Sequence, residues 1–108
     1  MFLFPIIVSI FNGGSGSDAS ADYYTSAEQY YATQQYDSAY INYKRAIQLD
    51  PENERALLGY GNVLVVRNER DSAIMMFDRA LEINPDYKEV SYGKALVLYD
   101  QKKYTEGI

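Results

Sequence analysis

Acidic side chains lie close together at one point of the sequence, where paired carboxylates could do general acid–base chemistry. Asp50, Glu52 and Glu54 alternate around Pro51. The same pattern is typical of a solvated turn before a helix, since carboxylates stabilise the N-terminal end of a helix dipole. The chain has no His and no Cys, so it lacks the side chain best suited to proton transfer near neutral pH and any thiolate nucleophile. The turn interpretation is favoured.

Two further sets of residues are candidates for chemistry. Lys44, Arg45 and Arg79 fall on segments predicted to be helical, where an ion-paired outer face is the usual arrangement. Gly13–Gly16 lacks the Gly-Lys-Ser/Thr that completes a phosphate-binding loop. No nucleophile is paired with a base. The sequence therefore predicts a protein that is not an enzyme and that uses no metal and no cofactor.

Charge and composition limit the class of partner. The 108 residues carry a formal net charge of −5, with 47% hydrophobic and 23% charged residues, a composition typical of a single globular domain. The acidic balance argues against a nucleic-acid partner, because phosphate binding needs a surplus of Lys and Arg. The composition does not identify a cellular compartment. The cytoplasm is the default expectation, and the composition is also compatible with a membrane-associated partner.

The elements that position these residues come from an internal repeat. Tyr36–Asn53 matches Arg70–Tyr87 at an offset of 34 residues, and such a period is the signature of stacked helical hairpins. A third, partial copy begins at Lys88. The matched residues are Asp37/Asp71, Ser38/Ser72, Ala39/Ala73, Tyr43/Phe77, Arg45/Arg79, Ala46/Ala80 and Pro51/Pro85.

Each full copy is predicted to form two antiparallel helices. The Ala and aromatic residues of each second helix are spaced four and then three residues apart, which puts them on one face for packing against the first helix. Asp37 and Asp71 are predicted to cap the second helices, and Pro51 and Pro85 to end them. The expected helices cover about 20–33, 37–49, 54–67, 71–83 and 88–101.

These positions resemble the tetratricopeptide repeat (TPR) family. The resemblance implies an all-α, right-handed superhelical solenoid of antiparallel helix hairpins with five to six helices, over a domain at 19–108 with repeats at 20–53, 54–87 and, in part, 88–108. Lys94 stands at a normally apolar position, which makes the third repeat the weakest match. The first-helix residues that carry the resemblance are Tyr23, Ser26, Ala27 and Tyr30, then Leu57, Tyr60, Gly61 and Leu64, then Ser91, Lys94, Ala95 and Leu98.

In this family the first helices line a concave groove that binds peptides. The family's carboxylate clamp for acidic C-termini is not expected, because the clamp positions hold Tyr24, Glu28, Gly59, Glu89 and Gly93 in place of its Lys, Asn and Arg. By the resemblance, the groove is formed by a mainly apolar set: Tyr24, Glu28, Tyr31, Leu58, Asn62, Val65, Val66, Tyr92, Leu96 and Tyr99.

An apolar segment, residues 1–11, precedes the repeats, and residues 12–18 are predicted to form a flexible Gly/Ser linker. We interpret the segment as a hydrophobic ligand for the groove, bound within its own chain or exchanged with a second copy in a homodimer. Its proposed contact residues are Phe2, Leu3, Phe4, Ile6, Ile7, Val8, Ile10 and Phe11.

Four interpretations of residues 1–11 stay open. The segment is compatible with a secretory signal, although no Lys or Arg precedes it and it is shorter than the roughly 20 residues of a membrane span. It is also compatible with a cap over the end of the repeats and with a native arm that regulates the groove. The Gly/Ser run favours the fourth interpretation, a peptide fused to the repeats through an engineered linker.

The last two interpretations make the repeats a chaperone-like or adaptor-like receptor for a hydrophobic segment, which is the function that the sequence favours. The alternative is a self-associating scaffold in which residues 1–11 cap the repeats or mediate oligomerisation.

Overall fold

A computed structural model of the protein describes the backbone of residues 16–107 and the side chains of residues 19–102. Over this range the chain is all-α and contains no strand, which confirms the predicted class of helical repeat. The predicted ligand residues Phe2–Phe11 and residues 12–15 of the predicted linker lie outside the described residues. The helices are α1 (Gly16–Ala32), α2 (Tyr36–Leu49), α3 (Glu54–Val66), α4 (Arg70–Ile83) and α5 (Lys88–Gly107).

The helices belong to two compact units. The first contains α1 and α2, which pack against each other, and the second contains α3, α4 and α5. In the second unit α4 contacts both α3 and α5. The boundary lies between Asn53 and Glu54, the same point at which the sequence places the junction of its first two repeats.

Helix α1 begins earlier than predicted. It starts at Gly16, whereas the sequence placed its start near Ser20 and assigned 16–18 to the flexible linker. Once packing has fixed a helix, each further residue adds one backbone hydrogen bond at little cost, so a helix extends into residues of modest propensity. The predicted linker is therefore too long at its C-terminal end.

Helices α1 and α3 end in the same motif. Gln34 and Asn68 have positive φ angles of 63° and 66°, and the amide N–H groups around them bond back to the last turn. Gln35 N donates to Tyr30 O at 2.8 Å and Glu69 N donates to Leu64 O at 2.8 Å. This is the Schellman arrangement, in which Gly is the residue that adopts the left-handed conformation without strain.

We expect Gln34→Gly to raise the free energy of unfolding by about 0.5–1 kcal/mol, because Gly relieves the left-handed strain while the backbone hydrogen bonds stay in place. Urea denaturation followed by circular dichroism measures the change. Asn68→Gly is the matched control and should gain less, because Asn tolerates this conformation better than Gln. An equal or larger gain for Asn68→Gly would contradict the assignment of strain to Gln34.

Helix α5 runs through the position that ends the other first helices. It continues to Gly107, whereas the sequence predicted an end near Gln101. Lys102, which corresponds to Gln34 and Asn68, is helical. The left-handed turn that ends the first helices of the two preceding repeats is therefore not formed at Lys102.

The starts of α2 and α4 correct a second prediction. The N-cap residues are Gln35 and Glu69, and neither side chain makes a capping hydrogen bond. Asp37 and Asp71 lie two residues beyond the N-cap position, in the first turn of their helices. Their carboxylates therefore act on the helix dipole rather than as N-caps.

The turns after α2 and α4 repeat each other closely. Asp50 Oδ1 accepts from the backbone N–H of Glu52 at 3.1 Å, and Asn84 Oδ1 accepts from that of Asp86 at 3.2 Å. Pro51 lies inside the first of these turns, as predicted. The first member of the acidic cluster is thus a turn-forming residue, since Asx side chains bond the backbone two residues on.

The hairpins pack through the small and aromatic residues of their second helices. Tyr43 is 1% exposed and Phe77 is 0% exposed. The Phe77 ring approaches the backbone of α3 at Gly61, where an added Cβ would lie 2.3 Å from the ring. The Ala residues that flank each ring are fully buried, as the spacing predicts: Ala39, Ala46, Ala73 and Ala80.

The third repeat buries a different face of its first helix from the one predicted. The sequence placed Ser91, Lys94, Ala95 and Leu98 at core positions, but Leu98 is 45% exposed and Ser91 and Ala95 are also exposed. The α5 residues that are buried are Val90, at 0% exposure, and Val97, at 4%.

The physical reason for this difference is that α5 packs mainly against α4 of the preceding hairpin, with a smaller contact to α3. Gly93 faces the Phe77 ring, with an ordinary contact distance of 3.5 Å for an added Cβ. Lys94 forms an ion pair with Asp78 on α4. A charged residue is tolerated at this repeat position because it lies at the edge of the contact with α4, not in the core.

Candidate protein-binding surface

Three sets of residues on the first helices share the same repeat positions. Each set is spaced i, i+4, i+7, so its members lie on one face of their helix. We call them triples. They are Tyr24/Glu28/Tyr31 on α1, Leu58/Asn62/Val65 on α3, and Tyr92/Leu96/Tyr99 on α5.

The α1 triple lies against tyrosines of α2. The Tyr43 hydroxyl donates a short hydrogen bond to Glu28 Oε2. The Tyr24 and Tyr43 ring centroids are 6.2 Å apart and tilted, and those of Tyr31 and Tyr36 are 5.4 Å apart in an edge-on arrangement. Such geometries are favourable for aromatic pairs. Glu28 is thus a carboxylate fixed within an array of tyrosines.

Two of these tyrosines have altered acidity. Burial, together with the hydrogen bond to Glu28 and its charge, raises the pKa of the Tyr43 hydroxyl far above its usual range. Burial raises the pKa of Tyr31 as well, with smaller contributions from Tyr36 and Glu28. Both groups therefore stay protonated at neutral pH and act as hydrogen-bond donors, not as bases.

The α3 triple is half-buried. Leu58, Asn62 and Val65 are partly accessible, while the adjacent Val66 is 47% exposed. The hydrophobic side chains of this helix therefore contribute both to the core and to the surface of the second unit.

The α5 triple is the most exposed of the three. Tyr92 is 68% exposed, Leu96 48% and Tyr99 64%. Because the three side chains follow one face over two helical turns, they form a continuous apolar stripe. Exposed apolar surface of this kind is typical of interaction sites and of aggregation-prone surface.

The predicted groove residues therefore divide between the two units. The first unit carries Tyr24, Glu28 and Tyr31, and the second carries the other seven. Sequence reasoning assigned Tyr43 to packing alone and missed its hydroxyl bond to Glu28. The signal for it was present, because antiparallel helices bring a groove residue of the first helix beside an aromatic of the second.

A second exposed apolar set was also missed. It lies on the second helices and repeats at the 34-residue period, which shows that exposure as well as burial follows the repeat. Its members are Ile41 at 57%, Leu49 at 42%, Met75 at 61% and Ile83 at 39% exposure.

Two negative findings concern the described residues only. Within that range His, Cys, Asp and Glu residues nowhere form a group of three able to hold a metal ion. The helices traced there are also too short or too polar for any of them to cross a membrane.

Residues 32–108 match the family model described as anaphase-promoting complex, cyclosome, subunit 3. The chain belongs to this family. It is a family of TPR-like repeats, which generally act as non-catalytic interaction scaffolds, and the protein is accordingly a TPR-type protein–protein interaction module. The match to the subunit 3 family covers α2–α5 and leaves the α1 triple outside it. No curated protein matches the chain.

Proposed function

We propose that this module binds a hydrophobic polypeptide segment on the exposed first-helix surface of its second unit, in the manner of a chaperone or adaptor. The exposed Tyr92/Leu96/Tyr99 stripe carries the proposal, because this surface leaves large apolar side chains in water. Covering them with an apolar segment is favourable by roughly 25 cal/mol for each Å² of apolar area removed from water.

The chain itself contains a segment of the required chemistry. Residues 2–11 include eight large apolar side chains and one hydroxyl, that of Ser9. Each buried side chain of this type contributes about 1.5–3 kcal/mol before the cost of ordering the segment. This segment, in its own chain or from a second copy, is the occupant to which the proposal commits.

Double replacement of Tyr92 and Leu96 by Ser tests the function. The probe is a fluorescent peptide of sequence Phe2–Phe11, titrated into the 108-residue chain carrying Phe4→Asp and Ile7→Asp so that its own segment does not compete. We expect affinity to fall at least about tenfold, the loss that corresponds to roughly 1.4 kcal/mol.

The matched control for this experiment is the pair Ile41→Ser and Met75→Ser. These side chains are 57% and 61% exposed, between the values for Leu96 and Tyr92, but they lie on second helices, so their loss should leave peptide affinity unchanged. Equal affinity for all three proteins, or no saturable binding to any of them, would contradict a role for the first helices.

The second candidate function is self-association, and the exposed set on the second helices favours it. If that set joins copies of the chain, sedimentation should show concentration-dependent association that Ile41→Ser with Met75→Ser abolishes. Tyr92→Ser with Leu96→Ser would then leave the association intact. The two functions thus make opposite predictions for the same two variants.

A further inference from the structure

Helix α5 has a second exposed face beside its triple. The residues of this face are Ser91, Ala95 and Leu98, each one position before a member of the α5 triple. Leu98 is 45% exposed, and Ser91 and Ala95 are exposed as well. Because successive residues of a helix are about 100° apart around its axis, the two faces adjoin. We call this second face the Ala95 face.

The same repeat positions belong to the core in the preceding repeat. On α3 they hold Leu57, Gly61 and Leu64, and all three are buried. The helix that packs against α3 there is α4, and its Phe77 ring lies directly over Gly61. The middle position of this face therefore receives an aromatic ring.

The first repeat shows that Ala serves at this middle position as well as Gly. Ala27 is 0% exposed on α1, and Tyr43, which has the repeat position of Phe77, is 1% exposed on α2. These two helices pack against each other. In both complete hairpins a small residue of the first helix is thus buried together with an aromatic residue of the second. Ala95 is the third small residue of this series.

On α5 the face has the same kind of middle residue, but it remains accessible. The contacts of α5 with α4 and α3 bury Val90 and Val97 on another side of the helix. Within the described part of the chain these contacts leave Ser91, Ala95 and Leu98 exposed. A small side chain one turn before a Leu leaves a recess, into which a large side chain of another segment can pack as a ridge packs into a groove.

The segment to which the proposed function commits has the chemistry and the length for this face. It contains three aromatic rings and no charged residue: Phe2, Phe4 and Phe11 carry the rings. The Ala95 face has no charged residue either, so no charge loses its water when the two meet. Its ten residues extend over about 15 Å even as a helix, while Ser91 to Leu98 span about 10 Å.

We propose that a Phe ring of this segment packs over Ala95, beside Leu98, in the way that Phe77 packs over Gly61. The α5 triple then covers other apolar side chains of the same segment. The inference rests on the proposed function and deepens it, because it names the anchor of the ligand. The preferred ligand is an apolar segment with an aromatic side chain, not a purely aliphatic one.

Three fluorescent decapeptides test the preference for a ring. The first has the sequence Phe2–Phe11, the second has Leu in place of its three Phe, and the third has Leu in place of its three Ile. Each is titrated into the 108-residue chain carrying Phe4→Asp and Ile7→Asp. We expect loss of the rings to weaken binding at least about tenfold. Replacement of Ile by Leu conserves volume and should change affinity less than about threefold.

A variant of the chain assigns the preference to Ala95. Ala95→Leu fills the recess with a residue of similar helix propensity, and circular dichroism checks that the fold is kept. The affinity for the unchanged peptide should fall about tenfold, whereas that for the ring-free peptide should fall less than about threefold, because the two changes remove the same contact. Ala21→Leu is the matched control, since it makes the same change at an exposed residue of α1, and it should leave all three affinities unchanged.

The outcomes separate the inference from the function on which it rests. Equal affinity for the unchanged and the ring-free peptides would overturn the aromatic anchor and leave the hydrophobic receptor in place. A preference for the ring that survives Ala95→Leu would overturn the assignment to the Ala95 face. Absence of saturable binding by any of the three peptides would overturn the proposed function itself.

Discussion

Gly61→Ala is expected to destabilise the second unit by about 1–3 kcal/mol, although Ala is the better helix former by about 1 kcal/mol. The added Cβ would lie 2.3, 2.7 and 2.9 Å from three atoms of the Phe77 ring. Phe77 is 0% exposed, so its ring cannot move aside without disturbing the packing around it. The cost of overpacking against the Phe77 ring therefore exceeds the gain in helix propensity.

Gly93→Ala is the matched control, since it places the same methyl group against the same ring from α5. Its Cβ would lie 3.5 Å or more from the Phe77 atoms, which is ordinary van der Waals contact. The higher helix propensity of Ala then determines the result, and we expect Gly93→Ala to raise the free energy of unfolding by about 0.5–1 kcal/mol. Chemical denaturation of both variants gives the comparison, and two changes of the same sign would show that the Phe77 ring does not define the hairpin contact.

The hairpins could be predicted because the helical spacing of the small and aromatic residues agrees with the 34-residue repeat. Ala39, Tyr43 and Ala46 recur as Ala73, Phe77 and Ala80 at helical spacing, and all six are buried. Pro51 fixes a turn that no helix can cross. The periodicity therefore predicted that these helices form. Three of the five helices begin and end within about one residue of their predicted bounds.

The third repeat could not be predicted in the same way, because its burial depends on which neighbour is present. Positions that face a second helix in the first two repeats, such as Ser91 and Leu98, are exposed on α5. The residues that contact α4 are buried instead, including Val90. Periodicity gives the faces of a helix, but only the tertiary neighbours decide which face is covered.

The polar contacts between helices also could not be predicted from the repeat pattern. Ser20 is 0% exposed, and its Oγ donates to Ala46 O at 2.9 Å while accepting from Asn53 Nδ2 at 3.1 Å. The corresponding positions in the second repeat hold Glu54, Ala80 and Tyr87, so this network does not repeat. A comparison of repeats finds what they share, and it misses a bond that only one of them makes.

Tyr43 provides the other large expected effect, because it joins the core of the first unit to the candidate surface. Tyr43→Ala should cost about 3–5 kcal/mol of unfolding free energy through the cavity left by a fully buried ring. Tyr43→Phe keeps the ring and removes the hydrogen bond to Glu28, so it should cost about 1–3 kcal/mol. Urea denaturation at pH 7 measures both.

Measurements at alkaline pH distinguish the contribution of the Tyr43 hydroxyl to stability from that of its ring. The raised pKa of Tyr43 means that the folded state favours its protonated form, so this stabilisation is complete below the unfolded pKa of about 10 and is lost as the pH rises above it. The wild-type advantage over Tyr43→Phe should therefore shrink between about pH 10 and pH 11.5. A wild-type advantage that stays constant across this range would mean that the Tyr43 hydroxyl ionises as readily in the folded chain as in the unfolded one, and the bond to Glu28 could not then hold the carboxylate at the surface.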